Sequence, residues 1–597
     1  MADSPFQSLI DKPPYSDAGS RRRLVVGTLL ADPAVTSLVA GIVSVAFAAS
    51  FGLNYGVENQ VLYLLKSLTI AHPDLLRNDW FVHNVTQYHI AFAYLGAALI
   101  ALDPSGWLQA LMHIVVVTTG SLFVFGLVRS LTEPWLALPT FLCVITIWFI
   151  TRTSAVGSQY VFNIIFQPST LGSLGLLGAL YYFARGRWLA SGAWLALAGL
   201  FHANYLVLSV PVFGLAHLAL GREGLLQRLA RQLGPLGAVV IVPLPAILET
   251  AAPGETAARA HEILFKVRLP HHYDPGSFDR SFMLFAAWQM IGFGAGLPFI
   301  RGRMQTPGGR VGAIYMALMV VIWTGTVFTT LLYVPRIAQM LVWRFAPFCD
   351  LLGALLFCVA LGYLIADPSG GRRYPPAALG LIIGGIGLVC VFHRSGNQDL
   401  AKLVVAFGTV AALIAAFVSA AAYSRLSFLP VLDRLWSRHC AWVMLMLSVV
   451  PLATVAAPRL RNIAQRSSLI HEPARRAEVE LIDWMRTRSP RDAVFLTPPD
   501  VESLRFRGQR AIVVDWKAAP IIPREIIAWH ERLNDVCGRD VKSADDLANY
   551  DALDRERLKQ LKTKYHLDYL VVRRGNEERL GEYRVELKND AYVVLGL

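Results

Sequence analysis

Long apolar runs separated by short polar loops fill the first 457 residues, and a polar tail of ordinary globular composition follows them. The longest runs approach or reach the roughly 17–25 residues that an α-helix needs to cross a bilayer. They are apolar on all sides, whereas a helix of a soluble protein keeps a polar face. These runs are 34–53, 107–127, 311–332, 376–392, 402–423 and 439–457. The pattern predicts a polytopic α-helical membrane protein with about 13 transmembrane helices and a small C-terminal α/β domain.

Composition and charge agree with this class. The chain is 55% hydrophobic and 16% charged, whereas soluble domains carry about 25% charged residues. Its formal net charge is +13. Because the basic residues lie in short loops, we interpret them as topology signals and as contacts to anionic lipid headgroups. No nucleic-acid motif accompanies them, so we expect no nucleic-acid partner.

Basic loops predict which side of the membrane each segment occupies, since Lys and Arg concentrate in cytoplasmic loops. The run from Arg21 to Arg23 places the N-terminus inside, and alternation then places the tail outside. Parity is kept if the short apolar segment 86–102 is re-entrant or peripheral. The predicted organisation is a cytoplasmic N-terminal tail at 1–33, a transmembrane domain at 34–457 with outer loops 55–85 and 250–280, and a soluble extracytoplasmic domain at 458–597.

The first outer loop contains two acidic candidates. Residues 57–70 have apolar positions at helical spacing, which predicts an amphipathic helix at the membrane interface with Glu58 in its first turn. Glu58 is either an acid or base at membrane depth or a carboxylate favourably placed near a helix N-terminus. Asp79 could likewise only cap a turn.

The second outer loop combines histidines, an acid and several cations. Lys266, His271 and His272 suit an anionic headgroup or a phosphate. With Asp274, the two histidines are also weak candidates for a divalent metal, but their spacing matches no zinc signature. Simple loop packing is the third interpretation. We therefore expect no cofactor and leave a metal as the less favoured alternative.

Further polar residues fall near the same outer face in our topology. Charge in or beside the membrane is costly, which makes such residues functional candidates, although a single one can snorkel to the surface. They are Gln159, Tyr160, Gln167, His202, Asn204, Arg336, Arg344, His393 and Arg394.

The tail reads as alternating helices and short strands, which predicts a small α/β domain. The predicted helices are 472–488, 522–534 and 553–565, and the predicted strands are 494–496, 511–514, 569–572 and 591–594. The tail lacks a Gly-rich phosphate loop and a nucleophile elbow. It is therefore either a lid or recognition module above a membrane site, or a structural cap.

The whole arrangement resembles the GT-C superfamily of integral membrane glycosyltransferases. The resemblance rests on many crossings, a first outer loop with acids beside helix one, and a C-terminal extracytoplasmic domain. Glu58 in Gly-Val-Glu-Asn-Gln and Asp79 in Arg-Asn-Asp-Trp-Phe occupy the places of the family's acids. The tail motifs 492–499 and 514–517 resemble bacterial GT-C-like proteins with no assigned reaction. The family often has Asp where this chain has Glu58.

The resemblance implies a function and a site. The donor would be a polyprenyl-phosphate-linked sugar, and the acceptor an extracytoplasmic glycan, lipid or protein. Transfer would be inverting, with Glu58 or Asp79 as general base. It also implies the bacterial inner membrane as the location. The phosphate would be held by cations and histidines at the outer face, namely Lys266, His271, His272, Arg336, Arg344 and Arg394.

Two other classes of function stay open from the sequence. A transporter or flippase for a lipid-linked or anionic substrate could line its path with the same outer-face charges. Against that interpretation, the sequence has no internal repeat and no pair of acids midway through a span. A non-catalytic envelope assembly protein is the other alternative.

Overall fold

The structure is a computed structural model that describes residues 32–151, 156–250, 254–274, 277–301, 304–332, 334–366, 461, 470–471 and 476–597. This part of the chain is mostly helical and ends in a five-stranded sheet, which agrees with the predicted fold class. The predicted spans 376–392, 402–423 and 439–457 lie outside the described residues, as do His393 and Arg394. The number of crossings therefore stays a prediction.

Within the described residues, helices α1 to α18 belong to the membrane part and its loops. The first nine are Pro33–Ala49, Gln60–Tyr63, Leu65–Ala71, Trp80–Asn84, Ile90–Leu102, Trp107–Leu131, Pro134–Thr151, Pro168–Ala184 and Trp188–Phe201. The next nine are Ala203–Ala219, Leu225–Val239, Leu244–Thr250, Glu255–Glu262, Pro270–Tyr273, Asp279–Arg301, Pro307–Thr330, Pro335–Gln339 and Ala346–Ala366. A π-helical segment, Ile263–Arg268, joins α13 to α14.

Several of these helices are long and apolar enough to cross a membrane. By length and composition, and among the described residues, they are α6, α16 and the stretch Pro335–Gly362, which includes α17 and most of α18. Helices α11 and α12 form one more candidate that is bent by 88°. Shorter apolar helices include α1, α5, α9 and α10. The chain is a multi-pass membrane protein.

Local sequence fixes where the helices begin. The Asp32 side chain accepts a hydrogen bond from the backbone N–H of Ala34 at 2.7 Å, which caps α1. Thr306 caps α16 in the same way through Gly309, at 3.1 Å. Such caps satisfy N–H groups that have no partner inside the helix.

The tail is an α/β domain built on one sheet. Its strands are Val494–Leu496 (β3), Ala511–Ile512 (β4), Tyr569–Arg573 (β5), Arg584–Lys588 (β6) and Tyr592–Gly596 (β7). The strand order is β4-β3-β5-β7-β6, with β3 parallel to β4 and β5, and β7 antiparallel to β5 and β6. The helices are Arg476–Arg488 (α19), Leu504–Gly508 (α20), Pro523–Cys537 (α21) and Arg555–Tyr565 (α22).

Alternating side chains on the strands build two cores, one on each face of the sheet. One face packs Phe495, Val571 and Val594 against α19. The other packs Leu570 and Val593, among others, against α21 and α22. The second outer loop contributes to this second core with Ala260, Ile263, Leu264 and Phe265. The tail thus shares a hydrophobic core with the membrane part.

The first outer loop also binds the tail. Strand β1 (Leu53–Asn54) pairs in parallel with β2 (Ile470–His471), near the N-terminal end of the tail. The Asn78 amide donates a 2.6 Å hydrogen bond to the carbonyl oxygen of Asp492. The two outer loops and the tail therefore share one face of the molecule, which we call the outer face.

The predicted helix over 57–70 differs in detail from the structure. Two short helices, α2 and α3, replace it, and its apolar positions are buried as the pattern indicated: Val57, Val61, Leu64, Leu65 and Leu68. Glu58 is not in the first turn, because α2 begins only at Gln60. Its backbone is left-handed, with φ 52°, a conformation that is incompatible with helix.

Candidate active site at the outer face

Arg344 lies just before α18, in the turn Val342–Phe345, which follows the left-handed residue Leu341 (φ 49°). Its Nε is buried and has no hydrogen-bond partner among the described residues. Within the same residues, Arg344 takes part in no ion pair. The residue as a whole is half-buried, and a guanidinium that is partly withdrawn from water is normally paired, because an uncompensated charge in a dry site is costly. This one is suited to a bound anion.

Five aromatic and imidazole rings, which we call the ring cluster, gather near Arg344: Tyr63, Tyr88, His89, His202 and Tyr205. Their centroids lie 4.2 Å apart for Tyr88–His89 and 5.2 Å apart for Tyr63–His89. The same distances are 4.9 Å for His89–His202 and 5.3 Å for His202–Tyr205. The break between α9 and α10 and the start of α5 bring these rings together.

The ring cluster is electrically neutral near pH 7. Burial lowers the pKa of His89 to about 3, and the Arg344 charge acts in the same direction. Burial also lowers the pKa of His202 well below its usual range, with Arg344 adding to the effect. Burial raises the pKa of Tyr63 and Tyr88. The positive charge of Arg344 is therefore surrounded by side chains that carry no charge of their own.

The second outer loop completes this surrounding with His272 and Tyr273. Nδ1 of His272 lies 2.6 Å from the carbonyl oxygen of Gly157 and 3.1 Å from the amide nitrogen of Gln159. Burial lowers the pKa of His272 to about 3. Burial raises the pKa of Tyr273 to about 12, while Arg344 lowers it. Both loop residues are thus neutral groups within electrostatic reach of Arg344.

Other predicted phosphate-binding residues lie apart or on the surface. Lys266 pairs with Glu262 at 3.7 Å, and both side chains are about two-thirds exposed (64% and 65%). Arg336 is exposed on α17. His271 is exposed, and its ring is tilted by 52° against that of His272, with ring centroids 4.2 Å apart.

The weak metal candidates form no ligand group in the structure. Across the described ranges, no three His, Cys, Asp or Glu side chains gather as a metal site would require. Nδ1 of His272 is hydrogen-bonded to the Gly157 carbonyl oxygen, and Asp274 is exposed.

Glu58 lies in a tight turn that begins the first outer loop. Its side chain is exposed and forms no ion pair or hydrogen bond with the residues that the structure describes. Its neighbour Asn59 donates to Gln167 at 3.4 Å. Gln167 caps α8, and Ser173 on that helix meets the hydroxyl of Tyr205 at 3.0 Å. The Glu58 turn is therefore attached to the helix that supports the ring cluster.

Asp79 has a different environment from Glu58. Its side chain is fully buried and lies 3.0 Å from Nε of Arg505 in the tail. One carboxylate oxygen caps α4 by accepting from Val82 N at 3.1 Å, and the other accepts from Ile512 N at 3.2 Å. Asp515 meets Arg505 from the other side at 2.6 Å. Asp79 thus caps a helix, whereas the sequence suggested a turn, and it also joins loop to tail.

Sequence reasoning missed several residues of this region. Tyr88 and His89 were overlooked because this pair lies in a short polar segment before α5, and the side chains that surround it come from other parts of the chain. Outside the ring cluster, Asp350 of α18 was also missed, although an acid inside the apolar run 345–366 is a signal by itself. It is buried and accepts from the amide of Gln289 at 2.9 Å.

The family described as "Domain of unknown function (DUF6798)" matches residues 476–536. This match covers α19 to α21 and includes Arg505 and Asp515. No curated protein sequence matches the chain.

The chain is similar in structure to two crystal structures of ArnT from Cupriavidus metallidurans. The one bound to undecaprenyl phosphate has 13% sequence identity and a TM-score of 0.45. The apo state has 14% identity and a TM-score of 0.41, and both comparisons cover 94% of this chain and 97% of the other. The Archaeoglobus fulgidus oligosaccharyltransferase with zinc and sulfate has 12% identity, a TM-score of 0.32, and coverage of 89% and 68%. These low values establish neither site residues nor a substrate.

Proposed function

We propose that this protein is a membrane glycosyltransferase that moves a sugar from a polyprenyl-phosphate-linked donor to an extracytoplasmic acceptor. The C-terminal domain lies outside the cytoplasm in this proposal. The observation that supports it is the half-buried Arg344, which has no partner among the described residues and is surrounded by neutral tyrosine and histidine side chains at the outer face. A lipid-borne phosphate supplies the missing anion, and phenol and imidazole groups can hydrogen-bond sugar hydroxyls.

Glu58 is the general base in this proposal, and Asp79 is not. The oxygens of Asp79 are engaged by Arg505 and by two backbone N–H groups inside a closed interface. A base must reach the proton that it takes, directly or through one water. The exposed Glu58 carboxylate has no such commitments within the described part of the chain. Its strained backbone is typical of functional sites.

The chemistry is a displacement at the anomeric carbon with inversion. Glu58 takes the proton of the acceptor hydroxyl, whose oxygen forms the new glycosidic bond. The bond between the anomeric carbon and the donor phosphate oxygen breaks, and its electron pair leaves with the lipid phosphate. Arg344 stabilises the charge that develops there, and a preorganised cation of this kind is most effective in a dry site.

The direct test is sugar transfer in nanodiscs from a panel of polyprenyl-phosphate sugars, with release of the lipid phosphate as the readout. A loss of transfer in Glu58→Gln of about 10²–10⁴-fold, together with a clearly smaller loss in a protein-matched Asp79→Asn sample, supports the base assignment, since Asp79 acts on the site only through its contact with Arg505. Full activity of both variants contradicts it. If wild-type protein transfers no sugar but moves a lipid-linked solute across proteoliposomes, the transporter alternative replaces this function.

We also propose that the protein's own side chains suffice for the reaction, without a divalent metal. Transfer should then be equal with and without a chelator. A loss of transfer in chelator that Mg²⁺ or Mn²⁺ restores would return His271, His272 and Asp274 to consideration.

A further inference from the structure

We infer that helix α20 of the tail positions Glu58, with Arg505 and Phe506 as the positioning residues. This inference rests on the proposed function for its catalytic consequence, although the contacts stand by themselves. The five-residue helix touches both ends of the first outer loop. It gives the tail a specific role in the membrane site, beyond that of a lid or a cap.

Arg505 holds the far end of the loop. Its side chain is 2% exposed and lies between Asp79 of the loop and Asp515 of the tail, at 3.0 Å and 2.6 Å. The guanidinium also lies over the ring of Phe81, 5.2 Å from the ring centroid. The two Arg505 nitrogens that face these carboxylates form no hydrogen bond with them. The attraction between opposite charges therefore links Arg505 to Asp79 and Asp515. A cation between two buried carboxylates cannot leave without exposing their repulsion.

Phe506 holds the near end of the loop. Its ring is 5% exposed and meets the Tyr55 ring edge-on, with centroids 6.0 Å apart. It also lies directly against Gly56, where an added Cβ would be 3.4 Å from the ring. Helix α20 packs on α2 at this point. The tail therefore packs against Tyr55 and Gly56, the two residues that immediately precede Val57 and Glu58.

The turn that carries Glu58 needs such support. Gly56 and Glu58 both have positive φ, 66° and 52°, and a non-glycine residue in this region persists only where its surroundings fix it. From inside the loop, the Gln60 side chain accepts a 2.9 Å hydrogen bond from Gly56 N. From outside, the constraint is Phe506. Removal of either positioning residue should release the turn and misplace the carboxylate.

The experiment uses the full chain in nanodiscs with two variants, Arg505→Met and the milder Phe506→Leu. Hydrogen exchange of peptides that cover 52–64 should rise in both. The kcat of transfer should fall about tenfold to a hundredfold, since misplacement of a catalytic group by about 1 Å has effects of this size. The KM for the donor should change less than about twofold, because Arg344 is not on α20. Arg573→Met is the matched control, since its ion pairs with Asp500 and Asp551 stay within the tail.

The two readouts separate the possible failures. Unchanged exchange at 52–64 in a folded variant overturns the inference, and so does raised exchange with full kcat. An increase in KM that matches the loss of kcat/KM also overturns it, because the helix would then serve donor binding. Wild-type protein without transfer overturns the proposed function, whereas the exchange result still shows whether α20 holds the turn.

Discussion

The carboxylate of Asp79 and the guanidinium of Arg505 lie 3.0 Å apart between the first outer loop and the tail, and neither side chain is more than 2% exposed. The pair continues to Asp515, so that one cation serves two carboxylates. Burial raises the pKa of Asp515, and Arg505 lowers it. An acid that the family resemblance offers as a catalytic base thus lies in a closed ionic contact, and Glu58 is the acid left accessible.

Glu58 should show opposite effects on stability and on transfer. A non-glycine residue with left-handed backbone costs roughly 1–2 kcal/mol. Glu58→Gly should therefore raise the unfolding midpoint while transfer falls by about 10²–10⁴-fold with the loss of the base. Glu58→Gln should lose as much transfer without the gain in stability. Equal stability of the two variants, measured by thermal unfolding in detergent, would contradict the strain argument.

Arg344→Lys should weaken donor binding although the charge is kept. Lysine lacks the planar fork that meets two phosphate oxygens. Charge-assisted hydrogen bonds contribute about 1.5–3 kcal/mol, so the donor KM should rise about 10–100-fold, with a smaller change in kcat. Arg336→Lys, at an exposed position of α17, should alter KM by less than about twofold. Equal effects of both changes would place the phosphate elsewhere.

Sequence patterns predicted the tail well because its core depends on local alternation. The predicted strands 494–496 and 569–572 and the helix 553–565 correspond to β3, β5 and α22. Strand β6 was not predicted, because Arg584–Lys588 is an exposed edge strand that alternates charged and apolar residues. Such a segment reads as a polar loop when its neighbour β7 is not known.

The candidate site was only partly predictable, since its partners are far apart in the chain. Arg344 and His202 were found because polar residues between apolar runs are conspicuous. The partnership of Asp79 with Arg505 leaves no local signal, and the left-handed Glu58 contradicts the helical pattern around it. Tertiary contacts with the tail override local propensity there.

The shared core predicts that a loop residue stabilises the tail. Phe265 is 3% exposed and stacks on Tyr273 with centroids 4.1 Å apart. Phe265→Ala should destabilise by about 3–5 kcal/mol, seen as a lower denaturant midpoint and faster exchange in β5 and β7. Val585→Ala, at a 52% exposed position of the sheet edge, should change stability by less than about 0.5 kcal/mol. Unchanged exchange in the tail would mean that its core is complete without the loop.

The contacts of the tail with both outer loops predict a common side of the membrane. Reporter fusions at Leu597 and within 301–310 should therefore report opposite sides, since the latter is a basic loop. A cysteine at exposed Lys266 should label from the same side as one at the C-terminus. Same-side results for Leu597 and 301–310 would overturn the topology.

Glu525 should make the junction between loop and tail sensitive to pH. Its carboxylate is 5% exposed and accepts from the hydroxyl and the N–H of Thr86, at 2.7 and 3.1 Å. Burial raises its pKa, although the Thr86 hydrogen bonds lower it. The folded protein therefore keeps this proton at pH values where the unfolded chain has lost it. The contribution of the protonated Glu525 to the free energy of unfolding is complete below the pKa that Glu525 has in the unfolded chain. It is lost as pH rises through the higher pKa of the folded protein.

Glu525→Gln isolates this effect, because the amide keeps an oxygen for Thr86 and never ionises. The variant should unfold at a higher temperature than wild type at pH 8, and the difference should shrink as pH falls through the raised pKa. Glu531→Gln, on the exposed side of the same helix, supplies the baseline for exchanging a carboxylate for an amide. A difference between Glu525→Gln and wild type that grows on acidification would show the opposite sign, with Thr86 stabilising the charged carboxylate more than burial disfavours it.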